Sequence, residues 1–276
     1  MRRIWCNGEW LDSSNIPCLP MDRGVLLGLG LFETILALDG VAIFANRHLA
    51  RIIESADKLG WDFDFPDLRE TVTKLLMIND LSSGRAKIRL TLTAGSGPLD
   101  NLTSGDDRVS WMSALPAATA PDALAACLSP WPRNEKSPLA GLKCASYAEN
   151  LFALDHARRL GFQETIFLNT AGQLCEAATA NLFLVTNGRL LTPPLASGCL
   201  PGITRDVVIE LAGNLEIPCQ EIDLLTADLD SAEEIFLTSS IRGITGLSRL
   251  DSRMMEAGPT TELLRQALRV RVSAEK

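Results

Sequence analysis

Histidine and lysine are scarce in this chain of 276 residues. Two histidines, His48 and His156, cannot build a His-rich metal centre, and no metal site is expected. Of the 26 basic residues 20 are arginine, so any lysine among small or apolar neighbours stands out. The seven cysteines (Cys6, Cys18, Cys127, Cys144, Cys175, Cys199 and Cys219) are odd in number and include no CxxC pair. That usage fits reduced thiols better than a disulfide framework or a zinc site. No apolar run is long enough to cross a bilayer. The start MRRIWCNGEW carries two arginines without an apolar stretch behind them, unlike a signal peptide. Positive charge is in deficit as well: net charge is −8, and no Lys/Arg run offsets it. Neither nucleic acid nor an anionic membrane is therefore expected as a partner. The G-x-S-x-G elbow and the P-loop signature are both absent, which removes two large enzyme classes. GVLLGLGLF (Gly24 to Phe32) is glycine-rich but does not match the dinucleotide fingerprint. The expectation is a soluble, cytoplasmic protein.

What is present is a globular composition, 46% hydrophobic and 22% charged, in a length that suits two domains. Asn7-Gly8, Asp39-Gly40, Ala171-Gly172 and Asn187-Gly188 each separate two apolar runs and predict hairpins. NRHLARIIESADKLG from Asn46 keeps a 3.6-residue apolar period and predicts a helix stopped by Gly60. PDLRETVTKLLMINDL predicts a second helix with Pro66 at its start. AKIRLTLTAGSG predicts a strand running into a glycine loop. Further helices are expected over Tyr147 to Leu160, from Gly202, and over Thr260 to Val270. EEIFLTSSIRGITGL predicts one buried strand with a polar exit. Composition shifts to Ala, Pro and Thr in SALPAATAPDALAA (Ser113 to Ala126). A linker over 116–122 would divide a smaller N-terminal domain, 1–115, from a larger one, 123–276. Without a regular βαβ rhythm, the fold class expected is α+β in two domains.

Few residues suggest chemistry. Lys143, flanked by Leu142, Cys144 and Ala145, would lose hydration there and become nucleophilic. The plainer alternative is a lysine snorkelling at a domain edge. Glu176 precedes the small-residue stretch AATANLFLV, and a carboxylate on such a wall needs a cationic or hydrogen-bonding partner. The alternative is an exposed strand end. Gly202, Ile203 and Thr204 would open a helix whose free N–H groups suit a phosphate, or make an ordinary cap. Ser239 and Ser240 end an apolar strand in hydroxyls, and Arg51 shares a helix face with His48. A desolvated lysine, a carboxylate and several phosphate-suited groups fit a phosphorylated carbonyl cofactor.

Six segments, in order, resemble the class IV (fold-type IV) pyridoxal-phosphate enzymes: branched-chain and D-amino-acid aminotransferases and 4-amino-4-deoxychorismate lyases. They are MDRGVLLGLGLFETILALDG, NRHLARI, LKCASYAEN, GQLCEAATANLFLV, LLTPPLASGCLPGITRDVV and LTSSIRGITGL. The resemblance implies an α+β, D-amino-acid-aminotransferase-like fold whose larger C-terminal domain binds pyridoxal 5′-phosphate. It makes Lys143 the Schiff-base lysine and, later, the general base. Glu176 would pair with the pyridinium nitrogen, and Tyr147 would approach the phenolic oxygen. Arg51, Ile203, Thr204, Ser239 and Ser240 would serve the phosphate. The reaction implied moves an amino group between an amino acid or amine and a 2-keto acid, in a homodimer. Two alternatives are a lyase releasing pyruvate and 4-aminobenzoate, and a non-catalytic protein keeping the fold. Two departures weaken a typical D-amino-acid enzyme. The loop AGSGPLDNLTSGD has no arginine before Arg108, and Phe32 stands where a tyrosine is often found. Phe32 and Thr34 would then line the substrate site, with Arg89 or Arg242 receiving a carboxylate unless each is a structural ion pair.

Overall fold

In the computed structural model, residues 2–16, 20–63, 65, 67–101, 107–256 and 258–275 are described. The chain divides into two compact units. The first runs to Thr119 and takes in Leu142–Tyr147, and the second comprises Ala120–Gly141 and Ala148–Ala274.

The first unit holds β1 (Arg3–Cys6), β2 (Glu9–Asp12), α1 (Arg23–Leu27), β3 (Gly30–Leu38), β4 (Val41–Ala42), α2 (Ala45–Lys58), α3 (Leu68–Ile78), β5 (Arg85–Thr93) and β6 (Ser110–Pro116). Its strands form one sheet in the order β2-β1-β6-β5-β3-β4, antiparallel at each pairing. Hairpins turn at Asn7-Gly8 and Asp39-Gly40, and all four residues have positive φ. That is the geometry these dipeptides favour, because it matches the twist of the strands they join. Ile35, Ile88 and Leu90 point to one side of the β3–β5 pair and are wholly buried. Each contributes about 1.5–3 kcal/mol by leaving water. Over them lies α2, whose buried residues His48, Ile52, Ser55 and Ala56 form one face. It ends where Gly60 turns to φ 68°. α3 opens at Leu68, with the Asp67 carboxylate accepting from the Glu70 N–H. Pro66, expected to start this helix, lies outside the described residues, as does Cys18.

The second unit holds β7 (Ala123–Leu128), α4 (Ala148–Arg159), β8 (Glu164–Leu168), β9 (Leu174–Ala177), β10 (Asn181–Thr186), β11 (Arg189–Thr192), α5 (Ile203–Asn214), β12 (Cys219–Glu221), α6 (Thr226–Ser231), β13 (Glu234–Ser239), β14 (Gly243–Leu250), β15 (Arg253–Met254) and α7 (Pro259–Ser273). The sheet order is β12-β11-β10-β13-β14-β7-β8-β9, with β15 added to β14. Parallel pairs β14–β7, β7–β8 and β11–β12 sit among antiparallel ones, so the sheet is mixed. Asn187-Gly188 turns with both φ positive, as expected. At the next site the turn is longer than an Ala171-Gly172 hairpin. Asn169 Oδ1 accepts from the N–H groups of Ala171 and Gln173, building a wider loop between β8 and β9.

One expectation needs correction. EEIFLTSSIRGITGL is a hairpin, β13 and β14, and not one strand. Its turn at residues 240–242 is followed by Gly243 at φ 67°, with no Asn-Gly to announce it. In the Ala- and Pro-rich window Ser113 to Ala126, β6 runs to Pro116 and β7 starts at Ala123, and the chain between them lies in neither strand nor helix. Among the described residues, no helix is long and apolar enough to cross a membrane.

Candidate active site

The candidate residues fall into two groups, one in each unit. In the first, Lys143 is fixed by its backbone. Its carbonyl accepts from the Phe32 N–H at 2.9 Å, the Ala145 N–H donates to Gly30 O at 2.7 Å, and Cys144 bridges Leu31. The lysine segment thus extends the sheet from the start of β3. The glycines of GVLLGLGLF make this approach possible. A Cβ on Gly30 would lie 2.7 Å from Leu92 O and 3.1 Å from Ala145 Cβ, and one on Gly28 would meet Ser146 Oγ at 2.7 Å. Lys143 Nζ lies 4.4 Å from the centroid of the buried Phe32 ring and 5.6 Å from that of Tyr147. The two rings meet edge to face.

Arg89 places its guanidinium 3.6 Å from the same Phe32 centroid and faces Thr34 across the β5–β3 pair. Phe32, Thr34, Arg89, Lys143 and Tyr147 are thereby brought into one neighbourhood. Arg89 lines a cavity of about 440 Å³ with Lys87, Thr91, Trp111, Ser113 and Ala145. Burial pulls the Arg89 pKa down from its ordinary value, with Tyr147 opposing. On the other face of β3, Glu33 is completely buried against α2. Glu33 Oε1 accepts from Arg51 Nε, and Oε2 accepts from Arg51 Nη2, each at 2.7 Å. His48 Nδ1 lies 2.7 Å from the same Oε2. Burial alone would raise Glu33, but Arg51 and then His48 outweigh it and hold the carboxyl at about 2. Burial lowers the His48 pKa despite Glu33, so a neutral ring donates from Nδ1 to the carboxylate.

In the second unit, Glu176 on β9 is 8% exposed and is no exposed strand end. Its Oε2 accepts from the Leu200 N–H at 3.0 Å, and Arg133 Nη2 stands 3.6 Å from Oε1. Asn181, at the start of β10, donates from Nδ2 to Leu200 O at 2.8 Å. Glu176 and Asn181 therefore engage the N–H and the C=O of one residue, Leu200, which accounts for the five-residue spacing of the E-x-x-x-x-N-L-F block. Leu200 leads into α5 through Gly202, where a Cβ would lie 1.9 Å from Asn181 Oδ1. Gly202 supplies no side-chain cap. The N–H groups of Ile203 and Thr204 precede the first intrahelical bond, made by Asp206 to Gly202 O. Ser239 and Ser240 sit at the β13–β14 turn, where Ser239 Oγ accepts from the Arg242 N–H. Arg242 Nη2 donates to Glu164 Oε2 and Thr179 Oγ1, each at 2.8 Å, so this arginine is a structural ion pair.

The donor set fits the cofactor that the resemblance implies. A twelve-residue helix opens without a side-chain cap, which suits a phosphate. A buried carboxylate suits a protonated ring nitrogen, and an amine against two aromatic rings suits a carbonyl. Among the described residues, no group of three or more His, Cys, Asp or Glu side chains could hold a metal. Sequence reasoning missed Arg133 and Glu33. Arg133 sits in the patternless loop SPWPRNEKSP, whereas Glu33 carried a signal, an acidic residue inside an apolar strand.

The model of the family described as amino-transferase class IV matches residues 30–250. The branched-chain-amino-acid aminotransferase of Escherichia coli K12 is 31% identical over 282 residues, covering 96% of this chain and 91% of its own. The aminodeoxychorismate lyase of Bacillus subtilis is 25% identical over 253 residues, covering 90% and 86%. Among solved structures, the branched-chain aminotransferase from Thermoproteus uzoniensis with norvaline superposes with a TM-score of 0.92 at 28% identity, covering 100% of this chain and 96% of that one.

Proposed function

The chain belongs to the class IV aminotransferase family, with its fold-type IV α+β architecture, and from that premise we propose that it moves an amino group between an amino acid and a 2-keto acid with pyridoxal 5′-phosphate as cofactor. Bound, the cofactor supplies an electrophilic carbonyl and an electron-accepting ring. Lys143 would hold the cofactor through Nζ, and its amine would serve as general base towards the substrate's Cα proton. Glu176 keeps the ring nitrogen protonated, held in place by the Leu200 N–H and faced by Arg133. The N–H groups of Ile203 and Thr204, with Arg51, Ser239 and Ser240, hold the phosphate. Arg89 receives a substrate carboxylate, and Phe32 and Thr34 shape its surroundings. Arg242 is left out of this role because Glu164 already engages it.

The observation that carries the reading is the pinned backbone of Lys143, which presents its amine to Phe32 and Tyr147 from a strand-like segment. The test is the visible absorption of the purified protein before and after a panel of amino donors. A band that one donor converts to the amine form of the cofactor is expected. Lys143→Ala should abolish turnover, and full activity in that variant would remove the lysine from its role. A second reading, aminodeoxychorismate lyase, is supported by the Bacillus subtilis relative. It predicts pyruvate release and a band that no donor bleaches. The working form we propose is a homodimer, supported by the exposed apolar side chains Met21, Val25, Leu26 and Leu27. Light scattering should then give twice 29.9 kDa.

A further inference from the structure

We propose that Glu33 is a positioning residue for the cofactor's phosphate, acting through Arg51. The inference rests on the assignment of Arg51 above and adds a group that does not itself touch the phosphate. Glu33 is 1% exposed, in a strand whose neighbours on the same face are aliphatic. A buried ion pair contributes little stability compared with packed hydrocarbon of the same volume, so stability alone is a weak reason for a carboxylate here. Its geometry supplies a stronger one. The two carboxylate oxygens engage Arg51 Nε and Nη2 at 2.7 Å each, a fork that fixes both the plane of the guanidinium and its rotation within that plane. An arginine side chain otherwise samples many rotamers, and ordering it carries an entropic cost on every binding event.

With Glu33 on the Nε–Nη2 edge, the orientation in which Arg51 would meet a phosphate is set by the carboxylate. His48 completes the arrangement. Its neutral ring donates to Glu33 Oε2 from one turn earlier on α2 and fixes the carboxylate in turn. Charge works against this effect, since the carboxylate partly neutralises the arginine. An orienting role therefore predicts weaker phosphate binding when Glu33 is lost, and a purely electrostatic role predicts tighter binding.

The test measures dissociation constants of protein stripped of cofactor for pyridoxal phosphate and for pyridoxal, which lacks the phosphate. Wild type, Glu33→Gln, Arg51→Gln and the double variant are compared. Glu33→Gln should weaken pyridoxal phosphate about tenfold, the scale of misplacing one charge-assisted hydrogen bond, and leave pyridoxal unchanged. In the Arg51→Gln background the same substitution should have no further effect. Unchanged or tighter pyridoxal phosphate binding overturns the proposal, and so does an equal loss for both ligands. If Arg51→Gln is phosphate-selective and Glu33→Gln is not, this inference alone falls. If Arg51→Gln is not selective, the assignment of Arg51 falls and takes the inference with it. Should Glu33→Gln fail to fold, Glu33→Asp, which keeps the charge and retracts it by one methylene, is judged by the same criterion.

Discussion

Among the described residues, no carboxylate pairs with Arg89, although burial already lowers its pKa and Lys143 shares its aromatic neighbour. Two cations around one phenyl ring repel each other, and an anion arriving beside them relieves both. If Arg89 receives the substrate carboxylate, Arg89→Gln should raise KM for the amino donor about tenfold while the cofactor's spectrum stays as in wild type. Steady-state kinetics with a matched spectrum checks both halves. Glu33 gives a prediction in acid. Its folded pKa is depressed from 4.5 to about 2, so its contribution to stability is complete above 4.5 and is lost as pH falls towards 2. The Tm difference between wild type and Glu33→Gln should therefore shrink across that window, and thermal melts from pH 6 downwards would show it.

The elements are placed by contacts of different ranges, and only the short ones are written locally. Three of the four expected hairpins turn where Asn-Gly and Asp-Gly fall, because φ above zero at consecutive positions is a demand those residues meet on their own. The close approach of the Lys143 segment to β3 depends on partners more than a hundred residues apart. The glycines that permit it stand in a stretch that matches no dinucleotide fingerprint, so nothing local announces their purpose. Arg133 and Arg242 were opaque for the same reason: whether an arginine binds a substrate or a buried carboxylate depends on what folding brings beside it. Glu176, by contrast, stands in a motif whose spacing is a physical one, two side chains five residues apart engaging the N–H and the C=O of Leu200. Gly30→Ala tests the approach. Its Cβ would crowd Leu92 O and Ala145, so the lysine segment must shift, at a cost of about 1–3 kcal/mol. A lower denaturation midpoint together with weaker cofactor retention is expected. At the chain's end, Glu234 Oε2 accepts from the Thr261 N–H and hydroxyl, and Oε1 accepts from the Thr260 N–H. One carboxylate from β13 thus caps α7, and Glu234→Ala should cost about 1–3 kcal/mol, read by urea denaturation.

At the scale of the whole molecule, charge sets behaviour towards solvent. A net charge of −8 disfavours nonspecific aggregation at neutral pH, and solubility should pass through a minimum near the pI of about 4.9. Turbidity across that range would test it. The path of the chain carries a different consequence. The backbone passes from the first unit to the second after Thr119, returns for Leu142–Tyr147, and leaves again at Ala148. No single scission therefore yields the two units. A gene split at codon 119 would strand the pairing partner of Gly30 and Phe32, and Lys143 with it, on the other fragment. Neither half would be a complete module to express or transplant, and a circular permutant opened at that point would still carry the other crossings.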